Sequence, residues 1–262
     1  MTSRKATIGV LGGMGPEATI LFMQKMLDAV PANDDCDHVP LIVHNNTQVP
    51  SRIRALIEDG GEAPGPVLAA MAKDLEGAGA DALAMPCNTA HHYAPVIAEA
   101  VSIPFLDMVR LASGKALEQT APGARIGVLG SPALQATRVF EGPFAQVGLT
   151  PIYGNDADAR LDIIRSVKKR GVTPDAIGAL QVSADRLVER GADVLMVCCT
   201  EFSLIADRLR NKAMLFDTLQ VLVDACVAFS TGDSQSSEAA RGSSAASVPP
   251  KSDHLGKENL PC

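Results

Sequence analysis

Short, nearly uninterrupted apolar runs recur along the chain: residues 7–11 (TIGVL), 40–44 (PLIVH), 81–85 (DALAM), 125–129 (RIGVL) and 193–197 (DVLMV). Each is bounded by glycine or polar residues. A strand covered on both faces loses its in/out alternation and reads as such a run. Between the runs lie longer amphipathic segments, near 17–30, 66–77, 91–100, 106–119, 157–170, 175–189 and 217–229, which predict helices. Pro16, Pro66 and Pro174 stand at the first turns of three of them, where the missing N–H costs nothing. Alternating strands and helices predict a layered α/β fold built on parallel sheets.

The pattern also repeats. Ile8-Gly9-Val10-Leu11-Gly12 returns as Ile126-Gly127-Val128-Leu129-Gly130, 118 positions on. Gly79-Ala80-Asp81-x-Leu83-x-x-x-Cys87 returns as Gly191-Ala192-Asp193-x-Leu195-x-x-x-Cys199, 112 positions on. The first match alone is an ordinary buried strand. The second includes a cysteine and keeps the order, which points to a duplicated half-chain with one small insertion or deletion. The expected division is 1–120, 121–230 and a tail at 231–262, with the boundary between the halves left open and a crossing last helix as one arrangement. The tail is rich in serine and poor in large apolar residues, too few to offset the entropy of ordering, and reads as disordered.

Composition narrows the function. The chain has 262 residues, 47% of them hydrophobic, and a formal net charge of −7. With no basic surplus to neutralise phosphates, nucleic acid is not expected as a partner. No apolar run approaches the length of a membrane span, so no membrane association is expected. The start of the chain passes straight into a strand-like run with no signal-peptide core, and six cysteines are too sparse for a disulfide scaffold. The expectation is a cytoplasmic protein with reduced thiols.

In each half a strand ends and a cysteine follows. Ligands of open α/β sheets bind beyond the carboxyl ends of strands. Pseudo-symmetry would then set Cys87 and Cys199 across one cleft. Asn88-Thr89-Ala90-His91 and Thr200-Glu201-Phe202 follow them as polar strand-to-helix turns. One thiolate and one thiol on opposite sides of a carbon are the minimum for moving a proton from one face to the other, as in racemisation or epimerisation. Buried packing cysteines are the plain alternative. Zinc is a weak one, because Cys198-Cys199 with His44, His91 or His92 lacks a ligand spacing such as CxxC. Cys36, Cys198 and Cys226 read as structural thiols. His91 and His92 either tune Cys87 or cap and pack a helix. Gly12-Gly13-Met14-Gly15 lacks the dinucleotide spacing and reads as a turn that lets backbone approach a small anion.

Gly12-Gly13-Met14-Gly15-Pro16-Glu17-Ala18-Thr19, Pro86-Cys87-Asn88-Thr89-Ala90-His91 and Cys199-Thr200-Glu201, in this order, resemble the aspartate/glutamate racemase family, and most of all its cofactor-independent aspartate racemases. The resemblance covers about residues 6–230. It implies two pseudo-symmetric Rossmann-like α/β domains with an interdomain active-site cleft, a small acidic amino acid as substrate, no cofactor, no metal, and a homodimer. It assigns Cys87 and Cys199 as the catalytic pair. Met14, Asn88, Thr89 and Thr200 fall in the substrate-binding turns, and Asn46, Thr47 and Arg52 fall where the distal carboxylate is contacted. Lys169 matches a substrate-binding lysine, with Lys168 adjoining. Glu201 marks the aspartate-type branch, and Cys198 departs from a position where glycine is common. Two other readings stay open: the same scaffold as a maleate isomerase or malonate-type decarboxylase, and a non-catalytic protein that binds an acidic metabolite or senses redox state.

Overall fold

The computed structural model describes residues 4–58, 60–210 and 213–233. In the first half, β1 (Ile8–Gly12) leads to α1 (Pro16–Asp28), then β2 (Leu41–Asn45), α2 (Arg52–Leu56), α3 (Gly65–Gly77), β3 (Ala82–Ala84), α4 (Ala94–Ala100), β4 (Phe105–Leu106) and α5 (Met108–Glu118). The second half runs β5 (Arg125–Gly130), α6 (Pro132–Thr137), α7 (Glu141–Gln146), β6 (Thr150–Tyr153), α8 (Ala157–Arg170), α9 (Pro174–Glu189), β7 (Val194–Cys198), α10 (Thr200–Ser203), β8 (Met214–Asp217) and α11 (Thr218–Thr231).

The strands form two parallel four-stranded sheets, ordered β2-β1-β3-β4 and β6-β5-β7-β8. The orders are equivalent, and the repeated sequences occupy the two central strands of each sheet. β1 and β3 are buried along their length, as are β5 from Ile126 onward and β7. Strands so enclosed have to be apolar throughout, which is why all four are visible in the sequence; of the edge strands only β2, partly exposed, shows as such a run. The edge strands β4, β6 and β8 are short or partly exposed, and no continuous run announces them.

Two helices cross between the halves. Val109, Ala112 and Ala116 of α5 pack against Ile126, Val128, Val194 and Met196 of the second sheet. In return Leu219, Leu222, Val223 and Cys226 of α11 pack against Ile8, Val10, Ala82 and Ala84 of the first. The opposite faces are closed by α3 on the first sheet and by α8 and α9 on the second. Removing a fully buried leucine such as Leu222 from such a core costs about 2–5 kcal/mol, so the crossed helices weld the halves together. The expectation for residues 231–262 falls almost wholly outside the described residues. Within them α11 continues to Thr231, and Gly232 closes it in the left-handed region at φ 74°.

Candidate active site

The carboxyl ends of the two sheets face each other across a recess of about 470 Å³. Cys87 and Cys199 both line it, one from each half. Around them stand Met14, Asn88, Thr89, Arg52, Thr200 and Glu201. Each cysteine directly follows a buried segment of its half, Met85-Pro86 or Cys198 at the end of β7, so the core that fixes each central strand also fixes its sulfur.

Backbone and side chains lock the first turn. The amide N–H of Cys87 donates to Met85 O (2.8 Å). His91, buried, lies 2.9 Å through Nδ1 from Cys87 O, and its Nε2 accepts from the Met108 N–H at 3.0 Å. An acceptor Nε2 places the proton on Nδ1, so the ring is neutral and donates to Cys87 O. Burial agrees, since it pushes the imidazole below its usual range, outweighing the nearby Asp107 carboxylate. The Asn88 amide donates to Thr218 Oγ1 (2.8 Å), which donates to Val197 O (3.0 Å). Thr200 Oγ1 donates to Pro86 O (3.0 Å). Each cysteine turn is thereby tied to elements of the other half.

The two sulfurs sit in unlike surroundings. Cys87 is half-buried. Cys199 is buried, and its thiol donates to Glu201 Oε2 at 2.9 Å. Glu201 Oε1 in turn meets Lys168 Nζ at 3.1 Å. Burial, and then the Glu201 carboxylate, hold the Cys199 thiol well above the usual range. Partial burial works against the Lys168 charge, but Glu201 outweighs it and keeps the amine above the ordinary lysine range. Cys198, beside Cys199, also lines the recess but stands outside this chain of contacts: its thiol donates to Met196 O (3.2 Å), and burial raises it too.

The arginine is held by backbone. Arg52 donates to Val49 O (3.3 Å), Pro50 O (3.0 Å) and Met14 O (3.0 Å), binding the glycine-rich turn to the start of α2. In that turn Gly13 has φ +91°, and a Cβ there would lie 2.3 Å from the Asn46 backbone, so no other residue fits.

Three expected residues stand elsewhere. Asn46 lies beside Gly13, but its carboxamide accepts from the Gln48 N–H (2.9 Å) in its own turn and does not line the recess. Thr47 is exposed at the tip of that turn. Lys169 points to a second recess, shared with Glu17, Ala18, Val167, Gly171 and Leu204, on the far side of the Lys168–Glu201 pair. Lys168 is the lysine of the cleft. The reason is helical phase: Ile164 and Lys168, one turn apart on α8, both line the recess. Ser51, Ile53, Ser131 and Ile164 complete the lining. Sequence reasoning passed over them because none belongs to a motif. The repeat held a signal for Ser131, which stands where Gly13 stands in the first half.

A doubly wound pair of α/β halves with a thiol at each facing strand end defines a class, and comparison places the chain in it. The family model for Asp/Glu/hydantoin racemases matches residues 11–226, and the chain belongs to that family. It is 25% identical over 228 residues to the broad specificity amino-acid racemase RacX of Bacillus subtilis (strain 168), covering 86% of this chain and 96% of that one. The solved Picrophilus torridus aspartate racemase superposes with a TM-score of 0.75 at 26% identity, over 87% of this chain and 94% of that one. Glutamate racemase isoform RacE1 from Bacillus anthracis shares the fold, with a TM-score of 0.63 at 15% identity, over 89% of this chain and 84% of that one. Among the described residues no helix is long and apolar enough to cross a membrane.

Proposed function

We propose that the protein interconverts the enantiomers of aspartate, with glutamate as a second acidic substrate, by two-base proton transfer that needs no cofactor. The observation that carries this reading is that Cys87 and Cys199, at equivalent strand ends of a duplicated fold, line one recess. One sulfur, as thiolate, takes the α-proton and becomes a thiol. The electron pair stays on the substrate as a carbanion delocalised into the α-carboxylate. The opposite thiol then gives its proton to the other face and is left as the thiolate. No atom is gained or lost, and the two cysteines exchange roles with the enantiomer.

The polar turns support the binding step. Asn88, Thr89 and Thr200 surround the place where the α-carboxylate gathers charge in the transition state. Arg52 and Lys168 supply the cations for the distal carboxylate. For the enantiomer whose α-proton faces Cys87, Cys199 is the protonated partner, its thiol donating a hydrogen bond to the Glu201 carboxylate. The broad-specificity relative favours a wider range of side chains as a second reading, so the assay includes neutral and basic amino acids.

Incubation with L-aspartate in D₂O without pyridoxal phosphate is expected to give D-aspartate labelled at the α-position. Replacing Cys87 or Cys199 with serine is expected to lower turnover by roughly 10²–10⁴-fold, the usual worth of a positioned acid or base. A wild-type enzyme that exchanges no α-proton of any acidic amino acid would overturn the reading.

A further inference from the structure

We infer that Arg160, outside the recess, is a positioning residue that sets the cation of the catalytic cleft. Arg160 is 1% exposed, and it is the bulkiest of the fully buried side chains. Its guanidinium donates to Gly130 O (3.3 Å) at the end of β5 and to Gly154 O (3.2 Å) just after β6. Its Nε lies 3.2 Å from Asp156 Oδ1, a close charge contact without hydrogen-bond alignment. Asp156 is held from the other side by the Ser183 hydroxyl (2.6 Å) and by Arg186 (3.7 Å). The surroundings are shaped to this group. A Cβ on Gly154 would lie 2.4 Å from Asp156 Oδ1 and 3.5 Å from the central carbon of the Arg160 guanidinium.

A planar fork that spans two strand-end carbonyls fixes a helix in a way a point charge cannot. Arg160 lies in the first turn of α8, and Ile164 and Lys168 follow it at successive i+4 steps, so the three share one face. The first of the row is anchored to the sheet. The other two line the recess. The first half is built alike: Arg52 opens the helix after β2 and binds the carbonyl of Met14, in the turn after β1. In that half one arginine both anchors and lines the cleft. In the second half the tasks are divided, with Arg160 as the anchor and Lys168 in the cleft.

Arg160→Lys tests this, because it keeps a cation beside Asp156 but cannot reach both carbonyls. The inference rests on the racemase reading for its kinetic arm alone. With L-aspartate, KM is expected to rise at least fivefold, by a larger factor than any change in kcat, as for Lys168→Met. In the crystal structure of the variant, the Lys168–Glu201 contact is expected to open from 3.1 Å to beyond 4 Å. A purely structural role would lower melting temperature while leaving KM and that contact as in the wild type, and this result, or a change in one arm without the other, overturns the inference. If the wild-type chain does not racemise aspartate, the functional reading falls and the crystallographic arm alone decides Arg160. If Arg160→Lys does not fold, Arg160→Gln is read in the same way, since Asp156 keeps Arg186 and Ser183. Failure of both to fold assigns Arg160 to the fold as a whole and overturns the positioning role.

Discussion

The thiol of Cys199 donates to the carboxylate of Glu201 at 2.9 Å, two residues along the same turn. A negative charge so close opposes a second one on the sulfur. Glutamine at 201 keeps the size and removes the charge. Glu201→Gln is therefore expected to bring the Cys199 thiol down towards its usual range and to speed its alkylation by iodoacetamide several-fold at pH 8. Cys87, in the other half, serves as the internal control. Peptide mass spectrometry of the two sites reads both rates, and an unchanged Cys199 rate would leave burial alone as what keeps this sulfur protonated.

The halves are joined through Thr218, which accepts from buried Asn88 and donates to Val197 O. Valine has the shape of threonine without the hydroxyl. Thr218→Val leaves the Asn88 amide unpaired and is expected to cost about 1–3 kcal/mol in urea unfolding. Thr218→Ser is expected to recover most of that loss, together with turnover. A stable Thr218→Val together with a destabilised Thr218→Ser would mean that the methyl group, not the hydrogen bond, matters.

Both cysteines, the central strands and the duplication were legible because burial on two faces forces apolar runs, and the repeat gave the runs a relation. A crossing last helix was one arrangement open to the sequence, but that α5 and α11 exchange sheets was not legible. Helical periodicity says that an apolar face exists, and not which sheet it covers. The choice between Lys168 and Lys169 turned on the phase of α8, set by Arg160 and Ile164, whose environment no local pattern shows. Asn46 and Thr47 were placed by resemblance, whereas the chain spends the Asn46 carboxamide on its own turn.

Cys198 takes no part in the Cys199–Glu201–Lys168 chain. Cys198→Ala removes one buried sulfur and a weak hydrogen bond, and it is expected to cost about 1 kcal/mol of stability. Turnover is expected to stay within threefold of the wild type. Thermal unfolding and the D₂O assay measure the two effects. A variant as inactive as Cys199→Ser would reassign the acid to the neighbouring residue.

His91 gives the fold a pH dependence of definite sign. Its folded-state value lies below the ordinary 6.5, so the unfolded chain binds the proton more readily. The stabilisation is complete above about pH 6.5 and is lost as pH falls through the depressed folded value. Urea unfolding is expected to weaken below pH 6.5 with a slope of up to about 1.4 kcal/mol per pH unit from this one site. His91→Asn is expected to be less stable at neutral pH and to flatten that part of the curve. A variant that keeps the full slope would mean that another group titrates.

Arg52 is the sharpest test of how the distal carboxylate is held. Its guanidinium already binds three backbone carbonyls, which fixes its plane at the edge of the recess. Lysine keeps the charge but cannot hold those carbonyls and face a carboxylate at once. Loss of a charge-assisted hydrogen bond is worth about 1.5–3 kcal/mol. Arg52→Lys is accordingly expected to raise KM for aspartate by roughly 10–100-fold, the same energy expressed as affinity. Steady-state kinetics with aspartate and with alanine separate the effects. Alanine has no distal carboxylate, so any turnover of it is expected to fall far less, and equal losses on both would show that Arg52 serves the Met14 turn and not the substrate.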